Sequence, residues 1–340
     1  MDKRPTISDV AQLAGVHRST AARALSPSAS GMLKPETVTR VARAAQQLGY
    51  STNTLARGLR TSRSQTVGVL VPDLNNPLFP PIVRGIEDAL LPRGYTALIA
   101  STDNDAERER VYFQALLSRQ VDGFIIATAR DQDSVLDEAG ARGIAVVLVN
   151  RTDTARGFPL VSGDDREGVR TAVRHLAELG HRRIAHLAGP DGVSSATTRR
   201  SAFREAVADL ALPAEDAPVL SCAAFTEDAG RAAAERVLAL SPRPTAIFAA
   251  NDLIALGALR AIRAHGLSCP RDISVVGFND MRFADAFDPP LTTVHVPHQL
   301  LGAEAGRLLL DQLGLPDPVG KSILLPLSLA VRASTAPAPS

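Results

Sequence analysis

The chain predicts a small all-helical head followed by a large α/β body built on parallel sheets. Three observations carry this. The 340 residues are too many for one ordinary domain. The first 50 hold three short helical patterns, and from Thr66 onward short apolar runs alternate with helix-period segments. Charge also divides: residues 1–63 hold ten Lys and Arg against three Asp and Glu, net +7, and the rest of the chain is net −6. A basic head on an acidic body is the footprint of a head that meets a polyanion and a body that does not.

Thr6-Ile7-Ser8-Asp9 reads as a capping box, with Thr6 as N-cap and Asp9 reaching back. Val10, Leu13 and Ala14 then form an apolar stripe, and Gly15 ends the helix. Val16, Ala21, Ala22 and Leu25 carry a second helix whose outer face holds Arg18, Ser19, Thr20 and Arg23. After a loop over residues 26–34, Pro35 suits the first turn of a third helix, buried through Val38, Val41, Ala45 and Leu48. Three short helices with a tight glycine turn match a helix-turn-helix. Residues 51–60 read as a short helical piece and residues 62–65 as a polar joint.

The body's strand candidates are Val67–Val71, Ala97–Ala100, Phe124–Ala127, Ala145–Val149, Ile184–Leu187, Ala246–Ala250 and Ile273–Val276. Between them lie helical segments such as Ile82–Leu91, Glu107–Ser118, Gly168–Leu179 and Leu253–His265. Such alternation means parallel sheets covered by helices, with ligands bound at the strand carboxyl ends. The length fits two such lobes. The Ala333–Ser340 tail, ASTAPAPS, reads as disordered.

Several classes are disfavoured. Cys222 and Cys269 form no paired motif and suit a reducing compartment. MDKRPTISDV holds no apolar stretch of signal-peptide length, and no run approaches a membrane span, so the expectation is a cytoplasmic protein without membrane partners. His181 with His186, and His295 with His298, lack a third ligand at metal spacing, so neither metal nor cofactor is expected. Ser194 and Ser195 have no nucleophile elbow, and VGVLVPDLNN no GxGxxG, so no catalytic residues are expected.

Taken together, TISDVAQLAGVHRSTAARAL, LGYSTNTLARGL, VGVLVPDLNNPLF, LGHRRIAHLAGP, AIFAANDLIALGALRAIRAHGL and ISVVGFNDMRFADAFDPPLTTV resemble the lactose-repressor/galactose-repressor family of bacterial transcription regulators. The likeness spans about residues 5–332 in the family's order. It implies a helix-turn-helix head over residues 1–50 and a hinge helix and linker over 51–63. It also implies an effector-binding and dimerisation body over 64–335, like a type I periplasmic sugar-binding protein, leaving 336–340 as tail. One lobe would hold about 64–162 plus 297–324, the other about 165–294 plus 326–334. The implied protein is a homodimer on a pseudo-palindromic double-stranded operator, controlled by a small effector. Sugars or sugar phosphates lead, with nucleosides or purines as the alternative. A solute-binding protein would share the body but require export.

On the head, the resemblance places Arg18 and Ser19 at base-choosing positions, Arg23 at a third, and Thr20 on phosphate, with Thr6 at the first helix's start. An arginine fork suits guanine O6 and N7. His17 stands where the family usually has Ser, and His is a poor cap; Ala22 replaces a common Ser. In the hinge the resemblance places Asn53, Ala56, Arg57 and Leu59 on DNA, with Leu59 wedging into the minor groove, where an apolar wedge kinks the duplex. Thr52 replaces the usual Pro. In the crevice it implies effector contacts from Phe79, Asp103, Ser195, Arg199, Asn251 and Asn279. That set gives amides and a carboxylate for hydroxyls, an arginine fork, and a ring for an apolar sugar face. Asp73, Asn76 and Asp252 read as turn or cap residues. Val296 replaces a residue that is often polar.

Overall fold

The computed structural model describes residues 5–25, 33–50, 63–130, 133–153, 156–313 and 320–339. The chain divides into two compact units, Met1–Ser64 and Gln65–Ser340.

In the first unit, α1 (Ile7–Leu13), α2 (Arg18–Ala24) and α3 (Pro35–Gln47) pack around Val10, Ala11, Ala14, Ala21, Ala24, Val41, Ala44 and Ala45. The capping box forms: Thr6 N–H donates to Asp9 Oδ2 at 2.7 Å and Asp9 N–H to Thr6 Oγ1 at 3.4 Å. Gly15 takes φ +62°, a left-handed turn that glycine adopts without Cβ strain. Two expectations need correction. Leu13 is 51 % exposed, because the inward face runs through Val10, Ala11 and Ala14. His17 does cap α2: its Nδ1 accepts Ser19 N–H at 3.3 Å and lies 2.8 Å from Ser19 Oγ.

The second unit holds two six-stranded sheets. The first contains β1 (Thr66–Val71), β2 (Thr96–Ser101), β3 (Gly123–Ile126), β4 (Val146–Val149), β5 (Leu160–Gly163) and, near the chain end, β11 (Ser322–Leu325). Its order is β11-β5-β4-β3-β1-β2, parallel throughout. The second contains β6 (Ile184–Ala188), β7 (Val219–Ser221), β8 (Ala246–Ala249), β9 (Ser274–Asn279), β10 (Thr292–His295) and β12 (Ser328–Ala330). Its order is β12-β10-β9-β8-β6-β7, with only β12 antiparallel. The chain therefore crosses between sheets three times, after β5, β10 and β11.

Helices α4 (Phe79–Leu90), α5 (Ala106–Ser118) and α6 (Ser134–Ala141) cover the first sheet, joined by α11 (His298–Gln312). Helices α7 (Asp165–Glu178), α8 (Ser194–Asp209), α9 (Glu227–Leu238) and α10 (Asp252–Ala264) cover the second. Helices α4 and α11 approach so closely that a Cβ on Gly302 would sit 1.9 Å from the Ile82 carbonyl oxygen. One apolar cluster runs from Val69, Ile82 and Leu301 to Val169 and Phe278.

The expected disordered tail is corrected as well. Ser334 is fully buried, its Oγ donating to the Val275 carbonyl at 2.6 Å. Ala336 N–H donates to Ser274 Oγ at 3.1 Å and Ala338 N–H to the Leu179 carbonyl at 2.8 Å. Small residues and prolines let this segment lie against the lobe, and its backbone groups find partners there.

Candidate functional site

The carboxyl ends of the parallel strands bring five of the six predicted crevice residues to one cavity. Phe79, Ser195, Arg199, Asn251 and Asn279 line it, with Asn76, Leu78, Asn150, Arg151 and Phe225; it is narrow, about 20 Å³. An outer cavity of about 430 Å³ shares the walls Asn76, Phe79, Arg151 and Phe225. Asn150 and Arg151 directly follow β4, Asn251 follows β8 and Asn279 ends β9, which is how parallel strands present side chains to a crevice.

Each residue is held differently. Phe79 opens α4 and is 2 % exposed. Asn251 caps α10, its Oδ1 accepting Ile254 N–H at 2.8 Å. Asn279 sits at φ +115°, and its buried Oδ1 has no hydrogen-bond partner among the described residues, so it is an acceptor awaiting a donor. Arg199, 3 % exposed, is already engaged. Its Nε donates to Asp165 Oδ2 at 2.8 Å, its Nη1 donates to the Ala250 carbonyl at 2.7 Å, and the guanidinium stacks 3.7 Å from the Phe278 ring centroid. Burial pushes the Asp165 carboxyl up, opposed by the Arg199 charge. Asp165 lines a neighbouring cavity of about 490 Å³, which shares Asn150 and Ser195 with the first and holds none of the other predicted residues.

Asp103 stands outside these cavities. It takes φ +52° and turns its carboxylate to Arg108 on α5. The next residue, Asn104, reaches the outer cavity instead. Sequence reasoning also missed Asn150, Arg151 and Phe225. A polar pair directly after the buried run VVLV was the available signal for the first two. Phe225 gave none, since it lies on a loop between β7 and α9.

The turn readings agree with the geometry for Asp73 and Asn76, whereas Asp252 is corrected: Asn251 caps α10, and the Asp252 carboxylate reaches across to β10 and to Met281. Asp73 Oδ1 accepts Asn75 N–H at 2.8 Å and Asn76 Oδ1 accepts Leu78 N–H at 3.1 Å. Asp252 is buried, accepting from Thr293 Oγ1 at 2.5 Å and Met281 N–H at 2.7 Å, and burial pushes its carboxyl up to about 7. His186 stacks between Phe203 and Phe248, with centroids 4.9 Å from each, and burial lowers it to about 3.

On the head, α2 exposes Arg18, Ser19 and Arg23, while Thr20 is half-buried and Ala21 and Ala24 face the core. Thr6 is exposed with its hydroxyl in the capping box. Ser19's hydroxyl is held by His17, a contact that any base would have to share or displace. The hinge candidates Asn53, Ala56, Arg57 and Leu59 lie outside the described residues, as do Thr52 and most of the 26–34 loop. Among the described residues no helix is long and apolar enough to cross a membrane, and no cluster of metal-ligating side chains occurs.

A helix-turn-helix head with an arginine-bearing second helix, on a two-lobed body with a polar crevice, defines a class: a nucleic-acid reader joined to a small-molecule receptor. Comparison with known proteins agrees. Residues 6–53 match the bacterial regulatory proteins of the lacI family, and residues 173–335 a periplasmic binding protein-like domain. The HTH-type transcriptional regulator CelR of Thermobifida fusca is 37% identical over 346 residues, covering 98% of each chain. The solved lac repressor dimer bound to operator and the anti-inducer ONPF has TM-score 0.86 at 29% identity, covering 98% of this chain and 100% of that one. The complex of the regulator CelR with cellobiose has TM-score 0.73 at 33% identity, covering 97% and 100%. The chain belongs to the lacI family of bacterial regulatory proteins and is a DNA-binding transcriptional regulator.

Proposed function

We propose that this regulator is a repressor that binds a pseudo-palindromic operator as a homodimer and is controlled by a sugar or sugar phosphate in the inter-lobe crevice. The observation that carries the effector reading is the convergence of Phe79, Ser195, Arg199, Asn251 and Asn279, far apart in sequence, on one cavity. An aromatic wall, amides and a buried unpartnered acceptor suit vicinal hydroxyls and a sugar's apolar face. The bound cellobiose of CelR and the operator-bound dimer of lac repressor support the same reading. Arg18, Ser19 and Arg23 would read base edges, and Thr20 and Thr6 would lie near phosphate. From the hinge, Asn53, Ala56, Arg57 and Leu59 would enter the minor groove. The protein would act in the cytoplasm and carry out no catalysis.

A nucleoside or purine is the second reading, favoured by two rings, Phe79 and Phe225, in the same walls. Gel retardation tests both. Full-length protein should retard duplex from its own promoter, and one member of a sugar and nucleoside panel should change the retarded fraction. Equal retardation of promoter and unrelated duplex would remove the operator reading. A nucleoside as the active member would replace the sugar.

A further inference from the structure

His17 and Ser19 meet at the start of α2. The backbone N–H of Ser19 donates to His17 Nδ1 at 3.3 Å. A backbone N–H can only donate, so this ring nitrogen carries no proton. Ser19 Oγ lies 2.8 Å from the same nitrogen. Facing a bare nitrogen, the hydroxyl has one role left: it donates its proton to Nδ1. Among the described residues no other group bonds Ser19 Oγ. Its lone pairs are therefore free while its proton is committed.

A serine hydroxyl ordinarily turns to suit its partner, and so reads a donor or an acceptor alike. His17 removes that freedom. A serine at the capping position would give a proton to Ser19 as readily as take one, whereas a bare ring nitrogen only takes. Ser19 is exposed on α2 beside the exposed Arg18. Arg18 carries donors alone, so the two neighbours ask opposite things of a base edge. In the free protein the bond between His17 and Ser19 competes with water. Against DNA, where water is displaced, it strengthens.

We infer that Ser19 selects a base by its amino group in the major groove, adenine N6 or cytosine N4, and that His17 sets this choice by fixing the hydroxyl as an acceptor. Guanine O6 and thymine O4 are themselves acceptors. Meeting either one opposes two acceptors or breaks the bond to His17. This rests on the proposed reading of operator bases by α2. His17 is a positioning residue, since it acts through the Ser19 hydroxyl.

The test begins with selection of duplexes from a random pool by full-length protein. Ser19→Ala marks the base pair that Ser19 reads, as the position where its selected consensus loosens. Gel retardation then uses operators altered at that pair alone. Deleting the amino group (purine for adenine, pyrimidin-2-one for cytosine) should weaken the parent about three- to tenfold more than it weakens Ser19→Ala, the effect of one neutral hydrogen bond. Deleting the keto oxygen (2-aminopurine for guanine, 5-methylpyrimidin-2-one for thymine) should weaken both proteins alike. His17→Gly frees the hydroxyl to turn, and glycine is accepted at an N-cap. It should bring discrimination between adenine and guanine, or cytosine and thymine, at that pair to within about twofold of that of Ser19→Ala, with non-specific duplex still bound. The base-analogue comparison needs only the parent and Ser19→Ala, so it decides the polarity even where His17→Gly fails to fold. A Ser19-dependent loss on keto deletion overturns the inference and leaves the operator reading standing. Discrimination as sharp in His17→Gly as in the parent, or a consensus untouched by Ser19→Ala, does the same. A parent that selects no consensus overturns both.

Discussion

Replacing Arg199 by alanine should damage the fold before it damages regulation. The substitution removes the Nε donor 2.8 Å from Asp165, the Nη1 donor 2.7 Å from the Ala250 carbonyl, and the cation over Phe278. Breaking a buried pair by removing one partner typically costs about 3–5 kcal/mol, because the other charge stays behind. The Asp165 side chain keeps 14 % of its surface exposed, so the lower end applies, about 3 kcal/mol. At roughly 2–4 °C per kcal/mol for a body of this size, the melting temperature should fall by about 6–12 °C. Calorimetric melting of full-length protein measures this. Two further results follow. Asp165→Asn in the Arg199→Ala background should recover part of the loss, because the stranded charge disappears. The deficit should also shrink as pH falls, since burial already raises the Asp165 pKa and loss of Arg199 raises it further. If Arg199→Ala melts within about 1 °C of the parent and Asp165→Asn brings no recovery, the arginine is not a structural strut and the reasoning fails.

Other perturbations probe separate parts. Gly302→Ala drives a methyl group into the Ile82 carbonyl and should cost about 3 kcal/mol, at the upper end for overpacking; a denaturant midpoint equal to the parent's would contradict that approach. Asp252 has a folded pKa of about 7 against an ordinary 3.8, so the folded chain binds the extra proton and its stability falls as pH rises between those values. Asp252→Asn should gain on the parent across that window, read as a growing difference in melting temperature between pH 4 and 8. Arg18→Ala should relax preference at one symmetric operator position by roughly 1–3 kcal/mol per half-site. Selection of duplexes from a random pool measures it, and an unchanged consensus removes Arg18 from the reading set.

What the sequence made legible follows from how local each constraint is. The helix-turn-helix was readable because Thr6, Asp9 and Gly15 answer demands met within a few residues. Long buried strands announced themselves as apolar runs. Short ones such as β5, β7 and β12 did not, since LVSG, VLS and SLA hold few apolar residues. The crevice residues came through family likeness, five of which lie in one cavity; it missed Asn150 and Arg151, whose signal was a polar pair after a buried strand, and Phe225, whose loop gave none. Arg199 shows the limit most plainly: its partner Asp165 lies 34 residues away, so the sequence did not show that this crevice arginine is also held in an ion pair. The tail misled for a related reason, because Ser334 and Ala336 find their partners on β9, across the fold.

In the proposed regulator, effector and operator share one equilibrium. Its most direct test titrates labelled operator with full-length protein, with and without saturating effector, and then measures effector affinity by calorimetry with and without operator. Linkage requires both experiments to return one factor, typically about 5- to 150-fold. Equal factors are the expected result. An effector that binds the body while leaving the operator titration unchanged would contradict it.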